Sequence, residues 1–381
     1  MPIDPTTRPG DFRTEEMILN MGPQHPSTHG VLRLEVTTDG EVVAAVRPFM
    51  GYLHRCFEKH SEHVSWTGVI PYTDRMDYLA AMNNNHGYVI AVERLLGLEV
   101  PERAEYIRVI MAELNRIASH LVAFGTFGND IGAVTPLVWS FRDRELILDI
   151  FEKACGARLT YNYYRIGGMS GDLTPDMLED VRKFLDYFEP RLKEYDDLLS
   201  YNKIFLERCA GVGVIPLNMA VNYGLTGPAL RGSGMRWDLR RDDPYSIYDR
   251  FDFDIPVGEG RKGEIGDCWD RYMVRMWEMA ESVKILRQCL AQIPEGEYMH
   301  PKTPKSIKPP KGEIYVRVEN PRGELGYYLI SEGKTSPFRV KVRSCCFTNL
   351  AVTPAISQGV MIADLVAIIG SLDIVLGEID R

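Results

Sequence analysis

Two histidines lie four residues apart in a short loop near the start of the chain. They are His25 and His29, in the segment GPQHPSTHG at residues 22–30. Prolines and glycines restrict this loop, and functional residues concentrate in loops that rigid flanks hold in place. Imidazole can transfer protons near neutral pH, but it can equally cap loop carbonyls. The residue types alone leave both alternatives open.

A second polar group has the residue types of a metal site. It consists of His60, Glu62 and His63 in the string HSEH. This spacing differs from the HExxH pattern, which places two zinc ligands and a general base on one helix face. On a helix, His60 and His63 would face alike because they are three residues apart. A solvated polar face explains the group as well, and we predict no metal site here.

The segment 72–78, YTDRMDY, combines two phenols, two carboxylates and a guanidinium. A tyrosine such as Tyr78 can give a proton to a reduced oxygen and still pack against an aromatic ring. The alternative is a polar helix start with Tyr78 in the core. Asp130 lies in the glycine-rich segment 125–132, which we interpret as a bend after a long helix. A simple turn aspartate is the alternative at that position.

Composition narrows the class of protein. Of the 381 residues, 45% are hydrophobic and 25% charged, as in ordinary globular proteins. The net charge of −9 argues against a free-standing nucleic-acid binder. The sequence contains no dinucleotide-binding glycine motif, Walker loop or GxSxG, and no apolar run long enough to span a membrane. Since the first residues also lack the apolar core of a secretory signal, we expect a cytoplasmic chain.

The seven cysteines predict neither a disulfide framework nor a metal site. Their number is odd and no CxxC occurs, so we expect reduced thiols and no zinc or iron–sulfur site from this chain alone. Cys345 and Cys346 are neighbours in a strand-like run, where consecutive side chains point to opposite faces.

The elements that must position these residues follow from the apolar spacing. Alternation on either side of Asp39 and Gly40 predicts a β-hairpin. Apolar steps of three and four predict helices over 104–121, from an N-cap at Thr174 onward, and over 269–293. Pro190 should kink or break the second of these. We further expect a proline-rich connector, three short strands and a last helix, at 301–311, 314–318, 327–330, 340–342 and 357–369.

This order of strands, many helices and strands again predicts an α+β fold instead of alternating βαβ units. We divide the chain into an N-terminal arm with a β-rich subdomain at 1–70, a helical core at 71–300, and a connector with a C-terminal segment at 301–381.

The sequence resembles the D subunits of bacterial NADH–quinone oxidoreductase, homologues of the mitochondrial 49-kilodalton subunit of respiratory complex I. The resemblance covers Glu16 to Arg381. Its motifs include GPQHPSTHGVLRL, GYLHRCFEK, PYTDRMDYLA, GNDIGAVTP, RGELGYYL and SLDIVLGEIDR. It implies a hydrogenase large-subunit-like fold with an N-terminal β-rich subdomain, a central long-helix bundle and a C-terminal mixed α/β segment that closes the former metal cleft.

Nickel–iron hydrogenase large subunits, to which that family is similar, hold their metals through two pairs of cysteines. The corresponding positions here are Asp77, Ala80, Val375 and Glu378. Nickel and low-spin iron need soft thiolate ligands, and two of these replacements carry no ligand atom. The resemblance therefore excludes a nickel–iron centre and implies a quinone headgroup in the vacated cleft.

For quinone reduction the resemblance implies two proton donors, His29 and Tyr78, and an aspartate, Asp130, that orients His29 and stabilises its protonated form. Arg75 corresponds to an arginine beside the terminal [4Fe–4S] cluster of a neighbouring subunit. We expect no cofactor bound by this chain alone, with NAD and FMN elsewhere in the complex. Once the quinone takes the protons, Asp130 loses its partner charge, and we hypothesise that this change starts the signal to the membrane pump.

The resemblance further implies partners of the B, C, I and H types, and a peripheral position on the cytoplasmic face of the cell membrane. It predicts a proton-translocating NADH:quinone oxidoreductase. One alternative is a true hydrogenase, against which the missing cysteines argue. The others are a scaffold without chemistry, and a D-type subunit of a complex that takes electrons from ferredoxin or a deazaflavin.

Overall fold

The computed structural model describes residues 16–24 and 29–381. The expected N-terminal arm up to residue 15, and His25 of the loop, lie outside the described residues. The strands are β1 (Glu16–Met21), β2 (Arg33–Asp39), β3 (Val42–Phe49), β4 (Tyr164–Arg165), β5 (Gly168–Met169), β6 (Gly312–Asn320), β7 (Gly323–Ser331) and β8 (Arg339–Arg343).

The helices alternate with these strands unevenly, and most lie between β3 and β6. They are α1 (Phe57–Ser61), α2 (Ile70–Thr73), α3 (Ala81–Leu96), α4 (Glu102–Asp130), α5 (Val134–Cys155), α6 (Pro175–Tyr195), α7 (Lys203–Cys209), α8 (Leu217–Asn222), α9 (Pro228–Gly232), α10 (Leu239–Asp242), α11 (Cys268–Gln292), α12 (Cys345–Leu350), α13 (Thr353–Ile356), α14 (Ile362–Leu372) and α15 (Leu376–Asp380).

The predicted α+β fold and the N-terminal hairpin are confirmed. Strands β2 and β3 pair antiparallel, with β1 on the outer side of β2. Gly40 turns the chain between them with a φ of 61°, a conformation that glycine adopts without strain. Alternate residues of β2, such as Leu34 and Val36, are buried while their neighbours are not. One face of this sheet therefore packs on the core.

Helix α4 is longer than its apolar spacing predicts. The stretch 104–121 is helical, but the helix continues to Asp130. The bend that we expected after it is therefore wrong. Gly125 and Gly128 are helical residues that let α5 approach, because a methyl group at Gly125 would lie 2.3 Å from Oγ of Ser140. The glycines permit close helix packing and leave Asp130 at the helix end.

The other two predicted long helices are confirmed, with one correction. The hydroxyl of Thr174 accepts a hydrogen bond from the Met177 N–H and caps α6. The break expected at Pro190 does not occur, since α6 continues to Tyr195. Pro190 lies on the exposed face, where water can bond the carbonyl that proline leaves unpaired. Helix α11 runs almost as predicted, and its N-cap is Asp267.

The C-terminal strands are confirmed as an antiparallel sheet in the order β6-β7-β8. The sheet packs closely on α3, since a methyl group at Gly87 would lie 2.9 Å from Val318 and 3.0 Å from Tyr327. The last predicted helix starts too early: residues 357–361 are not helical, and α14 begins at Ile362.

The strand-like interpretation of Cys345 and Cys346 is wrong. The two cysteines are the first residues of α12, and the Ser344 hydroxyl caps this helix by accepting a hydrogen bond from the Phe347 N–H. A serine N-cap after the end of β8 was the signal for this helix, and it outweighs the local β propensity.

The core between α4, α11 and the C-terminal sheet contains charged as well as apolar side chains. Several arginines are fully buried, and most of them pair with buried carboxylates from other elements. No helix among the described residues is both long and apolar enough to cross a membrane. The division of the chain into three parts stays a prediction.

Candidate functional site

His29 and Asp130 form a hydrogen-bonded pair. Nε2 of His29 lies 2.8 Å from Oδ2 of Asp130, and the side chains are 11% and 6% exposed. Asp130 ends the long helix α4, while His29 comes from the loop before β2. The φ of His29 is 50°, in the left-handed region that few non-glycine residues adopt. The pair therefore joins a rigid helix end to a constrained loop.

Two glycines let the C-terminal segment approach this pair. A methyl group at Gly370 on α14 would lie 3.2 Å from Oδ2 of Asp130. Gly30, next to His29, has a φ of 121° and faces α15, where a methyl group would lie 3.7 Å from Cδ1 of Leu376. The loop, the end of α4 and the C-terminal helices thus meet at one place.

Tyr78 lines a pocket of about 410 Å³. Burial raises the pKa of Tyr78 above its ordinary value, and the charge of the neighbouring Asp77 adds to the rise. The phenol therefore keeps its proton at neutral pH and can donate it to an acceptor in the pocket. The other lining residues are Leu53, Arg55, Phe57, His60, Tyr72, Arg75, Met76, Gly377 and Arg381.

The pocket walls combine flat apolar surface with positive charge. The rings of Tyr72 and His60 stack, with centroids 6.0 Å apart and planes 5° from parallel. Arg75, whose side chain is 60% exposed, lines the pocket together with Arg55 and Arg381. Aromatic walls suit a planar ring, and guanidinium groups favour negative charge that develops on an oxygen. The pocket can accept a flat, polar ring and give it a proton.

The positions of the lost metal ligands are buried. Asp77, Ala80, Val375 and Glu378 are at most 3% exposed. Arg322, from the turn between β6 and β7, places a guanidinium nitrogen 2.8 Å from Oδ2 of Asp77. Burial raises the pKa of Asp77 to about 6, although Arg322 opposes the rise. A fixed protein cation therefore lies beside this former ligand position.

Arg322 also holds the segment that precedes α15. Its second guanidinium nitrogen, Nη2, lies 3.1 Å from Oδ1 of Asp373. The nitrogen that contacts Asp77, Nη1, also donates to the hydroxyl of Ser119 on α4 at 2.8 Å. With no thiolate at the four former positions, this donor set does not fit a nickel–iron centre. The network instead ties α4, the β6–β7 turn and the C-terminal segment together.

A quinone headgroup in the vacated cleft stays a prediction. Tyr78, next to the buried Asp77, lines the open pocket described above. Gly377 forms its floor: a methyl group there would lie 2.5 Å from the Met76 carbonyl oxygen and 3.4 Å from Cδ1 of Tyr78. The four positions that the resemblance matches to metal ligands are buried, whereas the Tyr78 pocket is open.

Within the described part of the chain, His29 does not line the Tyr78 pocket. The two side chains are linked through consecutive residues of α15. Gly30, beside His29, faces Leu376, and Tyr78 faces Gly377. Tyr78 and the residue next to His29 therefore lie beside consecutive residues of one short helix.

The HSEH group is spread over separate contacts. Helix α1 ends at Ser61, the His60 ring stacks on Tyr72, and Glu62 pairs with Lys59 at 2.7 Å and with Arg339 at 3.1 Å. His60 and Glu62 therefore each have protein partners of their own, and their positions need no shared metal ion.

Sequence reasoning missed Arg322 and two of the arginines of the pocket, Arg55 and Arg381. Arg322 lies in the motif RGELGYYL, whose repeated glycines and arginine were a visible signal for a tight turn with a charged side chain. Arg381 is the last residue of the sequence, and its place in the pocket depends on packing that periodicity does not encode.

The fold is α+β and consistent with the large-subunit type of hydrogenase, and Asp77, Arg322 and Asp373 form a buried ionic network in it. The family model described as "Respiratory-chain NADH dehydrogenase, 49 Kd subunit" matches residues 130–307 and 302–381. The D subunit of NADH-quinone oxidoreductase from Pelodictyon phaeoclathratiforme is 56% identical over 97% of this chain and 94% of that protein. The D subunit from Chlorobium luteolum is 57% identical over 97% of this chain and 95% of its own length.

The chain belongs to the family of the 49-kilodalton subunit of respiratory-chain NADH dehydrogenase. The resemblance seen in the sequence motifs is confirmed.

Proposed function

We propose that this chain forms much of the quinone-reduction site of a proton-translocating NADH:quinone oxidoreductase, with Tyr78 and His29 as the proton donors. The observation that carries the proposal is the pocket of about 410 Å³ in which a protonated phenol meets aromatic walls and arginines. The relatives are named as D subunits of NADH-quinone oxidoreductase. Those names support quinone as the substrate and NADH as the electron source, in preference to ferredoxin or a deazaflavin.

Reduction of a quinone to a quinol takes up two electrons and two protons, one proton on each carbonyl oxygen. The phenol of Tyr78 supplies the first proton from within hydrogen-bond reach, about 2.6–3.2 Å. Arg55 and Arg381 attract the negative charge that the electrons bring to the ring. Near a protein surface the effective dielectric constant is lower than in bulk water, so these charges act more strongly than they would in bulk solvent.

His29 supplies the second proton. The carboxylate of Asp130, 2.8 Å from Nε2, orients the ring so that the other nitrogen is free for the substrate, and it stabilises the imidazolium form. Gly30, next to His29, faces Leu376 of α15, and Tyr78 faces Gly377 of the same helix. The proposal therefore places the headgroup beside this helix, between the two donors. When His29 gives up its proton, Asp130 is left as an uncompensated charge, and this change starts the conformational signal to the membrane pump.

The electrons come from a terminal [4Fe–4S] cluster in a neighbouring subunit. Arg75 suits a position beside that cluster because its side chain is 60% exposed and its contact with Asp74 is a long one, at 3.8 Å. NAD and FMN bind elsewhere in the complex. The expected partners are subunits of the B, C, I and H types, on the cytoplasmic face of the membrane.

Tyr78→Phe tests the proposal in the assembled complex. The change removes the proton donor and keeps the ring, so NADH:quinone turnover should fall roughly 10²-fold, the lower range for loss of a general acid. NADH oxidation by a water-soluble acceptor that bypasses the quinone should not change. Tyr72→Phe is the matched control, since Tyr72 lines the same pocket and its ring stacks on His60.

Unchanged quinone turnover in assembled Tyr78→Phe complex would contradict the proposal. It would favour a scaffold whose partners carry out the chemistry. An equal loss in Tyr72→Phe would also count against a specific donor, because it would show that the pocket tolerates no loss of a hydroxyl.

A further inference from the structure

Two cysteines and a glutamate meet inside the C-terminal segment. Sγ of Cys345 lies 3.2 Å from Oε1 of Glu378, and Sγ of Cys346 lies 3.2 Å from Oε2. One potential ligand atom from each of the three lies within 4.8 Å of the others, and all three residues are fully buried. We propose that Cys345, Cys346 and Glu378 form a structural site for one Zn²⁺ ion.

Local structure explains why two neighbouring thiols converge. In a strand, consecutive side chains would point to opposite faces. Here the Ser344 cap starts α12, so Cys345 and Cys346 occupy the first two helical positions, where both can face the adjacent helix α15. Glu378 projects from α15 into the same space.

The distances suit a tetrahedral zinc site. Zinc bonds of about 2.3 Å to sulfur and 2.0–2.2 Å to oxygen place ligand sulfur and oxygen atoms about 3.5 Å apart. The sulfur–oxygen distances here are 3.2, 3.5 and 3.2 Å. The Ser344 hydroxyl, 2.8 Å from Oε1 of Glu378, is the nearest candidate for a fourth, neutral ligand.

Ion binding leaves the local charge unchanged. Two neutral thiols and one carboxylate carry a charge of about −1, and so do two thiolates, one carboxylate and a Zn²⁺ ion. Binding breaks two S–H bonds, forms two Zn–S bonds and releases two protons, with no change of oxidation state. No unpaired charge is therefore buried, and Arg322 keeps its partners Asp77 and Asp373.

The two thiolates and one carboxylate of this site favour Zn²⁺ over other common divalent ions. Thiolates favour zinc over magnesium or calcium, which prefer oxygen ligands. The site differs from the former nickel–iron positions, with which it shares only Glu378. An ion here would clamp α12 to α15, the helix whose Gly377 forms the floor of the Tyr78 pocket. Its role would be to hold that helix in place, as structural zinc sites do.

The test measures zinc in the full chain, purified from cells grown with added zinc and passed through a chelator. We expect about one zinc per chain in the parent and none in the Cys345→Ser, Cys346→Ser double variant. Glu378→Gln, which keeps a buried hydrogen-bond acceptor, should also lose its zinc during the chelator step. Cobalt in place of zinc should give a thiolate-to-cobalt absorption band in the parent only.

Cys56→Ser is the control for adventitious binding. Cys56 is exposed and its Sγ lies 3.5 Å from Nε2 of His54, so it is the alternative place for an ion. This variant should keep the zinc of the parent. A parent chain without retained zinc would overturn the proposal, whatever the folding of the variants. So would zinc that is lost in Cys56→Ser and kept in the Cys345→Ser, Cys346→Ser variant.

Discussion

The molecule contains two histidine–carboxylate pairs of nearly equal length in different surroundings. His29 and Asp130 are 2.8 Å apart, and His120 and Glu278 are 2.9 Å apart. The first pair joins a strained loop to the end of α4 and remains partly exposed. The second is fully buried between α4 and α11. The same two functional groups at the same distance therefore have different access to protons.

Neighbouring charge and burial together keep Glu278 ionised and His120 neutral. Burial alone would raise the pKa of Glu278, but Arg231, 2.6 Å away, together with His120 brings it well below the ordinary value. Burial lowers the pKa of His120, although its hydrogen bond to Glu278 opposes this. A neutral imidazole thus donates to a permanent carboxylate. Residue type and distance do not distinguish structure from chemistry, whereas access and neighbouring charge do.

The largest effect should follow from removing the cation that holds the buried pair. Arg231→Met leaves Glu278 and Glu319 as buried carboxylates without their shared partner, 2.6 and 2.8 Å away in the parent. Breaking a buried ion pair in this way costs about 3–5 kcal/mol. Thermal unfolding of the full chain, and the amount of assembled complex, would measure the loss.

Arg158→Met is the matched control for that change. Arg158 also bridges carboxylates, with Asp149 at 2.6 Å and Glu152 at 2.7 Å, but it lies on the surface. Exposed ion pairs contribute about 1 kcal/mol or less. If Arg231→Met and Arg158→Met destabilised the chain equally, burial would not distinguish the two ion-pair networks.

A smaller effect, on turnover instead of stability, is expected at the loop pair. Asp130→Asn keeps the shape of the side chain and removes the charge that holds protonated His29. We expect NADH:quinone turnover to fall roughly 10²-fold. The midpoint of thermal unfolding should change less than in Arg231→Met, because the side chains of the loop pair are 11% and 6% exposed whereas those of His120 and Glu278 are fully buried. Normal turnover with reduced stability would instead place this pair in the same class as His120 and Glu278.

The smallest effect concerns Asp74, a buried carboxylate whose contact with the exposed Arg75 is a long one, at 3.8 Å. Burial raises the pKa of Asp74 to about 7, against hydrogen bonds such as that from Asn162. Its folded pKa lies above the unfolded value of 3.8, so the folded state binds more protons between about pH 4 and 7, and stability falls as pH rises through this range.

Asp74→Asn should remove this dependence. The variant should gain about 1–2 kcal/mol over the parent at pH 8 and nothing near pH 4, less than the roughly 4 kcal/mol that the full shift would give, because the effective dielectric is high even at buried sites. Denaturant unfolding of the full chain at both pH values measures it. Asp197→Asn, at an exposed position, should leave the pH dependence as in the parent.

The sequence predicted correctly those features of the fold that depend on interactions within a single helix, strand or turn. The Asp39–Gly40 turn, the Thr174 cap and the apolar stripe of α11 each lie within one element, and each was confirmed. The errors lie where a contact with a residue distant in sequence determines the local structure. Gly125 looked like the start of a bend. Its real role is to leave room for Ser140, which belongs to another helix and cannot be placed there from the local sequence.

The buried charges show the same limit for the site. An arginine in a helix or a turn is normally expected to face solvent, yet Arg231 and Arg322 are fully buried. Their partners, such as Glu319 and Asp77, lie far away in sequence, and one sequence carries no sign of such pairing. The family motifs pointed to Tyr78, His29 and Asp130 as candidates, but they did not reveal that Arg322 is buried beside Asp77.

The most direct test compares His29→Gln with His120→Gln in purified, assembled complex, as NADH:quinone turnover per complex. We predict a loss of roughly 10²-fold for His29→Gln, and turnover near that of the parent for His120→Gln once the amount of assembled complex is taken into account. Equal turnover in the two variants, or a greater loss in His120→Gln, would contradict the assignment of proton donation to the loop pair.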